Sequence, residues 1–213
     1  MTCAADILTA LDGLKPTVVA ETASFLHTLA ECVAQAVASY ILASVTTSSG
    51  YSGAVIGTGT GAFTALTPAL LSALFEAGLN APADVDNKVA EGFALGLHAM
   101  CVVGTVTEAA SGVTTAVPPV PVTFTGLGSV HVAAPPPHAA CVAVLERMAS
   151  EKPAAGTVNR EEEIKKLKLL ANSFAQLVDD FIPTIVINTS GAGAVGLGAA
   201  TSSELAVDPT FPT

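Results

Sequence analysis

The chain has 213 residues and a formal net charge of −10, with only 8 Lys and Arg against 18 Asp and Glu, so it lacks the basic face with which nucleic-acid binders displace counterions. Apolar types make up 51% and charged residues 12%, with no Trp, and the excess lies in Ala, Val, Leu and Gly, which bury little area each. A surface so thinly charged is expected to be covered in part by neighbouring subunits, because monomers seldom expose large contiguous apolar patches.

No membrane span is expected, since a spanning helix needs about 20 consecutive apolar residues. The first uncharged stretch, 32–75, is stopped by Thr46-Thr47-Ser48-Ser49-Gly50, and the second, 109–145, holds six Pro. Met1 to Asp6 carries no basic segment leading into an apolar core, so the expectation is synthesis in the cytoplasm without a signal peptide.

In chain order, Thr2 to Leu11 reads as a short helix with Gly13 as its stop. Lys15-Pro16 then opens a long helix whose apolar stripe runs through Leu29, Val33, Val37, Tyr40 and Ile41. Ser44 to Ser48 reads as a strand, Ser49-Gly50 as a break, and Gly57-Thr58-Gly59 as a glycine loop. This is module 1, residues 1–66.

Module 2, residues 67–134, repeats that order. Thr67 caps a short helix with Pro68 at its first position and Gly78 as its stop. Asp84 or Asp86 caps a longer helix with Val89, Phe93, Leu97 and Met100, and Gly92-x-x-x-Gly96 in its body could let another helix approach closely. Cys101 to Thr107 follows as strand, Ser111-Gly112 as break and Gly126-Leu127-Gly128 as loop. Val117 to Val122 and Ala133 to Pro137, rich in Pro, read as an edge strand, arm or connector.

Module 3, residues 135–213, starts with a helix from His138 to Glu151 and restarts at Thr157 or Asn159. Its charged first turns, Glu161-Glu162-Glu163 followed by Lys165, Lys166 and Lys168, suit the helix dipole and a solvated face. Leu167 to Asp180 continues as helix, Pro183 stops it, and Thr184 to Thr189 is a strand followed by Ser190-Gly191 and Gly196-Leu197-Gly198. The tail after Thr201 is expected to be flexible.

The expected fold is therefore α+β and mainly helical, with three tandem helix-helix-strand modules in a pseudo-threefold arrangement. The Gly-x-Gly elements begin at residues 57, 126 and 196, close to a constant period. A lone strand cannot satisfy its ladder, so the three strands must pair with one another or with other chains. Gly50, Gly57, Gly59, Gly112, Gly126, Gly128, Gly191, Gly196 and Gly198 are read as setting backbone geometry for assembly.

No residue cluster declares a chemistry. Gly57 to Gly61 has Ala62 where a dinucleotide fingerprint needs its last glycine, so no cofactor is assigned. His131, His138 and Cys141 are the one local set of plausible metal ligands, without a compact fourth, and no metal is assigned. Cys3, Cys32, Cys101 and Cys141 sit in apolar runs and read as core thiols. Ser111-Gly112 has no adjacent acid or His to activate a hydroxyl, and no catalytic residue is assigned.

The Ala/Gly/Thr/Val texture, the helix followed by a Thr-rich strand and the Gly-x-Gly elements resemble small structural proteins of tailed bacteriophages and contractile injection particles. The resemblance implies a non-enzymatic component of a virion or phage-like particle, in its tail, baseplate or collar, whose partners are copies of itself and other particle proteins. It transfers no functional residue. Two rivals are weighed against it: a small-molecule-binding protein or enzyme with a site between modules, and a membrane-associated or surface-exposed protein.

Overall fold

The computed structural model describes residues 3–13, 22–49, 55–114, 119, 121–132, 134–150, 160–195, 198–202 and 207–210. Among them the helices are α1 (Cys3–Gly13), α2 (Thr22–Leu42), α3 (Pro68–Leu79), α4 (Val85–Val102), α5 (Ala139–Ser150) and α6 (Arg160–Phe181), the last followed by a 3-10 turn at Ile182–Thr184. The strands are β1 (Val45–Ser49), β2 (Val55–Ala65), β3 (Thr105–Thr114), β4 (Pro121–His131), β5 (Val186–Val195), β6 (Gly198–Ser202) and β7 (Val207–Thr210). The chain is α+β, with more of its residues in helix than in strand.

The chain forms two compact units, each drawn from three separate lengths of chain. One unit gathers Met1–Tyr40, Pro68–Met100 and Ala134–Phe181, the other Ile41–Thr67, Cys101–Ala133 and Ile182–Thr213. The first is helical and the second holds the sheet.

In the helical unit the long helices bury matching positions. Ala30, Val33, Ala34, Val37 and Tyr40 on α2, Ala90, Phe93, Ala94, Leu97 and Met100 on α4, and Ala171, Phe174, Ala175, Val178 and Phe181 on α6 are all buried. Each set follows the i, i+3, i+4, i+7 spacing that lines one face of a helix. The short helices bury i, i+4 pairs: Cys3 and Ile7, Leu71 and Phe75, Cys141 and Leu145. Both α1 and α5 pack on α6.

Phe75, Phe93 and Phe174 bring α3, α4 and α6 together. Phe93 and Phe174 stack with centroids 4.4 Å apart, and Phe75 meets them edge-on at 5.6 and 5.2 Å. The α3–α4 contact is closer still. A Cβ on Gly96 would lie 2.8 Å from Leu71 Cα, one on Gly92 would run into the Leu74 carbonyl, and one on Gly78 into that of Lys88. The helix approach read from Gly92-x-x-x-Gly96 is therefore present, made by α3 of the same chain. Gly78 lies inside the last turn of α3 rather than past its end. Asp84, with φ 53°, precedes α4; its carbonyl accepts from Lys88 N–H at 2.9 Å and its carboxylate from Asn87 Nδ2 at 3.1 Å. Asp is among the few residues that enter this left-handed region readily.

The sheet unit is antiparallel throughout, in the order β6-β5-β4-β3-β2-β1-β7. Each run into the sheet is preceded by the same turn: Ser44 N–H donates to Ile41 O at 3.0 Å, Gly104 to Cys101 O at 2.9 Å and Ile185 to Ile182 O at 3.0 Å. Ile41, Cys101 and Ile182 are buried. Ser44 Oγ also donates to Ile41 O at 2.6 Å, which satisfies a fully buried hydroxyl.

In a flat sheet of this order β5 and β7 would lie about 24 Å apart, five steps of about 4.8 Å. Instead they come within 8 Å of one another at their Cα atoms, so the sheet curls back on itself.

Several expectations are corrected here. Cys101 and Val102 end α4, and the strand starts only at Thr105, because the apolar stripe of α4 continues to its last turn. Each helix pair leads into a hairpin rather than a single strand, so the backbone groups of the glycine stretches are satisfied by ladders. Gly57 and Gly59 lie in β2, Gly112 in β3, Gly126 and Gly128 in β4, and Gly191 in β5. Gly198 opens β6. The tail read as flexible contributes β7, whose backbone pairs with β1. Gly50, Gly196, Pro16, Thr157, Asn159 and nearly all of Val117 to Val120 lie outside the described residues.

Candidate functional site

Two features stand out among the described residues: the glycine-bearing face of the sheet and a polar cluster in the helical unit.

Register places the sheet glycines on one face. Gly57 is opposite Gly112, Gly59 opposite Ala110, Gly61 opposite Glu108, Gly126 opposite Gly191 and Gly193 opposite Phe124. Successive strand residues alternate faces, so Phe63, Val106 and Val130 share this side, and all three are buried. The alternate positions Thr60, Thr105, Thr107, Ala109, Ser111, Val113 and Thr123 are exposed. The glycine face is therefore the inner side of the curl.

The physical reason is room. Eight strands make a barrel just wide enough for side chains to fill, and a curl closing over fewer strands is narrower. Glycine takes up the least room of any residue at the inward positions. At Thr64 a bulge shifts the β2–β3 register, and Thr64 Oγ1 lies 2.9 Å from Thr105 Oγ1 and 3.1 Å from Thr105 O. Gly57, Gly59, Gly112, Gly126, Gly128 and Gly191 thus lie on strands instead of loops.

The polar cluster joins α1, α2 and α6. Tyr40 Oη donates to Asp179 Oδ1 at 3.4 Å, and Cys3 lies near enough to feel the same carboxylate. Burial first, then the charges of Asp179 and Asp6, push the Cys3 thiol up to about 12. Burial likewise leads in raising Tyr40 to about 12, and in raising Asp179, where the Tyr40 hydrogen bond pulls the other way. These shifts hold the Cys3 thiol and the Tyr40 hydroxyl protonated, and Tyr40 serves as the hydrogen-bond donor to Asp179. Sequence reading missed it, because Tyr40 and Asp179 are 139 residues apart and neither carries a local signal.

A second polar contact is solvent-facing. His27 Nδ1 lies 2.7 Å from Glu76 Oε2, joining α2 to α3, and its Nε2 lies 3.4 Å from Glu31 Oε1. The hydrogen bond to Glu76 raises the His27 pKa above its ordinary 6.5, with the charges of Glu76 and Glu31 adding to it.

Of the suspected metal set, Cys141 is buried in α5 and His138 stands just before that helix, its carbonyl accepting from Val142 N–H at 3.0 Å. Burial raises the Cys141 thiol, and a hydrogen bond from Ser173 of α6 partly offsets it. His131 ends β4. Among the described residues no group of three or more His, Cys, Asp or Glu could hold a metal ion, and no helix is long and apolar enough to cross a membrane. All four cysteines are free.

No family model matches the chain, and neither the curated proteins nor the solved structures give a significant match.

Proposed function

We propose that this chain is a non-enzymatic structural subunit of a multi-copy particle of the tailed-phage or contractile type, in its tail, baseplate or collar. We further infer that its helix pairs and hairpins are three tandem copies of one module in pseudo-threefold arrangement. The observation that carries the reading is the recurrence of one buried pattern on α2, α4 and α6, each followed by the same turn into a hairpin.

The strand register supports it independently. Ala65, the last residue of β2, is opposite Thr105, the first of β3; His131, the last of β4, is opposite Val186, the first of β5; and Thr210, the last of β7, is opposite Val45, the first of β1. The third hairpin thus returns to the first in the relation the first bears to the second. A subunit built this way suits a threefold or sixfold axis, where each module meets an equivalent neighbour. Partners are copies of the chain and other particle proteins, which would cover Val103 and Val113, now 54% and 44% exposed.

Electron microscopy with light scattering on the purified chain tests the assembly. Rings, stacks or polymers of defined width are the expected result. A monomer at every concentration, binding a metabolite with measurable affinity, would replace this reading with that of a small-molecule binder.

A further inference from the structure

The lengths of chain that make up the sheet unit, residues 41–67, 101–133 and 182–213, contain no Lys or Arg. Of the described strands, β1, β2, β5 and β6 hold no titratable residue, while β3 holds Glu108, β4 His131 and β7 Asp208.

Register separates these three by face. Glu108 is opposite Gly61 on β2 and Gly126 on β4, and Gly126 is opposite Gly191 on β5. It therefore shares the glycine face with Val106, two residues before it and fully buried. His131 follows the buried Val130, and Asp208 is opposite Thr47, which is opposite the exposed Thr60, so both fall at the alternate, outer positions. The strands packed on β3 are β2, β4 and β5, and among their described residues no other charged or titratable one shares its face.

The curl is tight around β4. In a flat sheet β3 and β5 would lie about 9.6 Å apart, two strand spacings, yet their Cα atoms come within 8 Å of one another. A carboxylate at an inward position of such a curl, between glycines and without a cation on the same face, loses hydration with no compensating partner. The neutral acid is then the favoured form.

We propose that Glu108 is a proton switch in the sheet: uncharged, it leaves the curl closed, and its ionisation loosens the curl as pH rises. The sign follows from proton linkage. A carboxyl whose folded pKa lies above its unfolded value of about 4.3 contributes stability that is present in full below the unfolded value and is lost as pH rises through the folded one. The switch belongs to a single chain and does not depend on the multi-copy reading.

Thermal unfolding of the full chain and of its Glu108→Gln variant between pH 4 and pH 9 tests it, since Gln keeps the size of the side chain and cannot ionise. The two midpoints should nearly coincide at pH 4 and part as pH rises, with the variant several degrees higher at pH 9. Titration of His27, His131 and Asp179 is common to both chains and drops out of the difference. A difference that does not change with pH, or a variant that melts below the parent at pH 9, overturns the proposal. Carbon-13 NMR of the parent chain, labelled at the glutamate carboxyls, needs no stable variant: the Glu108 resonance, assigned through its backbone amide, should titrate well above the ordinary range, and titration near about 4.3 would likewise reject the switch.

Discussion

Gly57 stands directly opposite Gly112 across the β2–β3 ladder, and neither contributes a side chain to the inner side of the curl. Gly112 has Val122 on its other side, in β4, so a side chain added there has a neighbour on each flank. Replacing Gly112 with Val should overpack the inner face and cost about 1 to 3 kcal/mol. Ser111→Val, one residue away on the exposed face, should stay within about 0.5 kcal/mol of the parent. Urea unfolding of the two variants checks this, and equal losses would reject the assignment of faces.

Gly96→Ala opposes two effects of known size. Alanine gains about 1 kcal/mol of helix propensity over glycine. Its Cβ, however, would sit 2.8 Å from Leu71 Cα on α3, and backbone cannot rotate away as a side chain can. The expected outcome is a net loss of about 1 to 3 kcal/mol, seen as a lowered thermal midpoint. A raised midpoint would mean that α3 and α4 do not touch there.

The raised pKa of His27 has a defined sign for stability. Its folded value lies above the ordinary 6.5, so the contact with Glu76 contributes in full below the unfolded value and is lost as pH rises through the folded one. An NMR titration should place His27 above its ordinary value, and Glu76→Gln should bring it back toward 6.5. An unchanged titration in that variant would remove the α2–α3 contact from the account.

The four free thiols should differ in reactivity. Cys3 and Cys101, buried and raised to about 12, and Cys141, buried and raised, should resist alkylation in the native protein. Cys32, which is half-buried, should label first. Mass spectrometry after a short iodoacetamide pulse at pH 8 reads the order directly, and early labelling of Cys101 would contradict the packing of α4.

The helices were legible in the sequence because their apolar residues recur with helical spacing and their starts carry Thr67-Pro68, Asp84 and His138. The return strands were not. In β2 the run Gly57-Thr58-Gly59-Thr60-Gly61 does alternate with a period of two, but the inward position is held by a missing side chain. A search for alternating apolar residues therefore reads a loop. The strand β7 was hidden for a different reason: Asp208 and Pro209 are turn formers, and only the edge of β1, far earlier in the chain, makes an extended conformation favourable there. The near-constant spacing of the glycines pairs Gly57 with Gly126, whereas the ladders give a different alignment. The ladders match Gly59, not Gly57, to Gly126, since Phe63 opposite Val106 corresponds to Val130 opposite Ile187.

The alternation of helical and strand segments between two compact units also bears on how the protein is made and broken. Each unit draws on three separate lengths of chain, the last of which begins only at Ala134 in one and Ile182 in the other. Neither can finish folding on the ribosome until the final third has emerged, and a protease that cuts after Thr67, Met100 or Ala133 divides both units between two fragments. Nicking should thus release no stable half, and intact mass would be a sensitive report on whether the molecule survives.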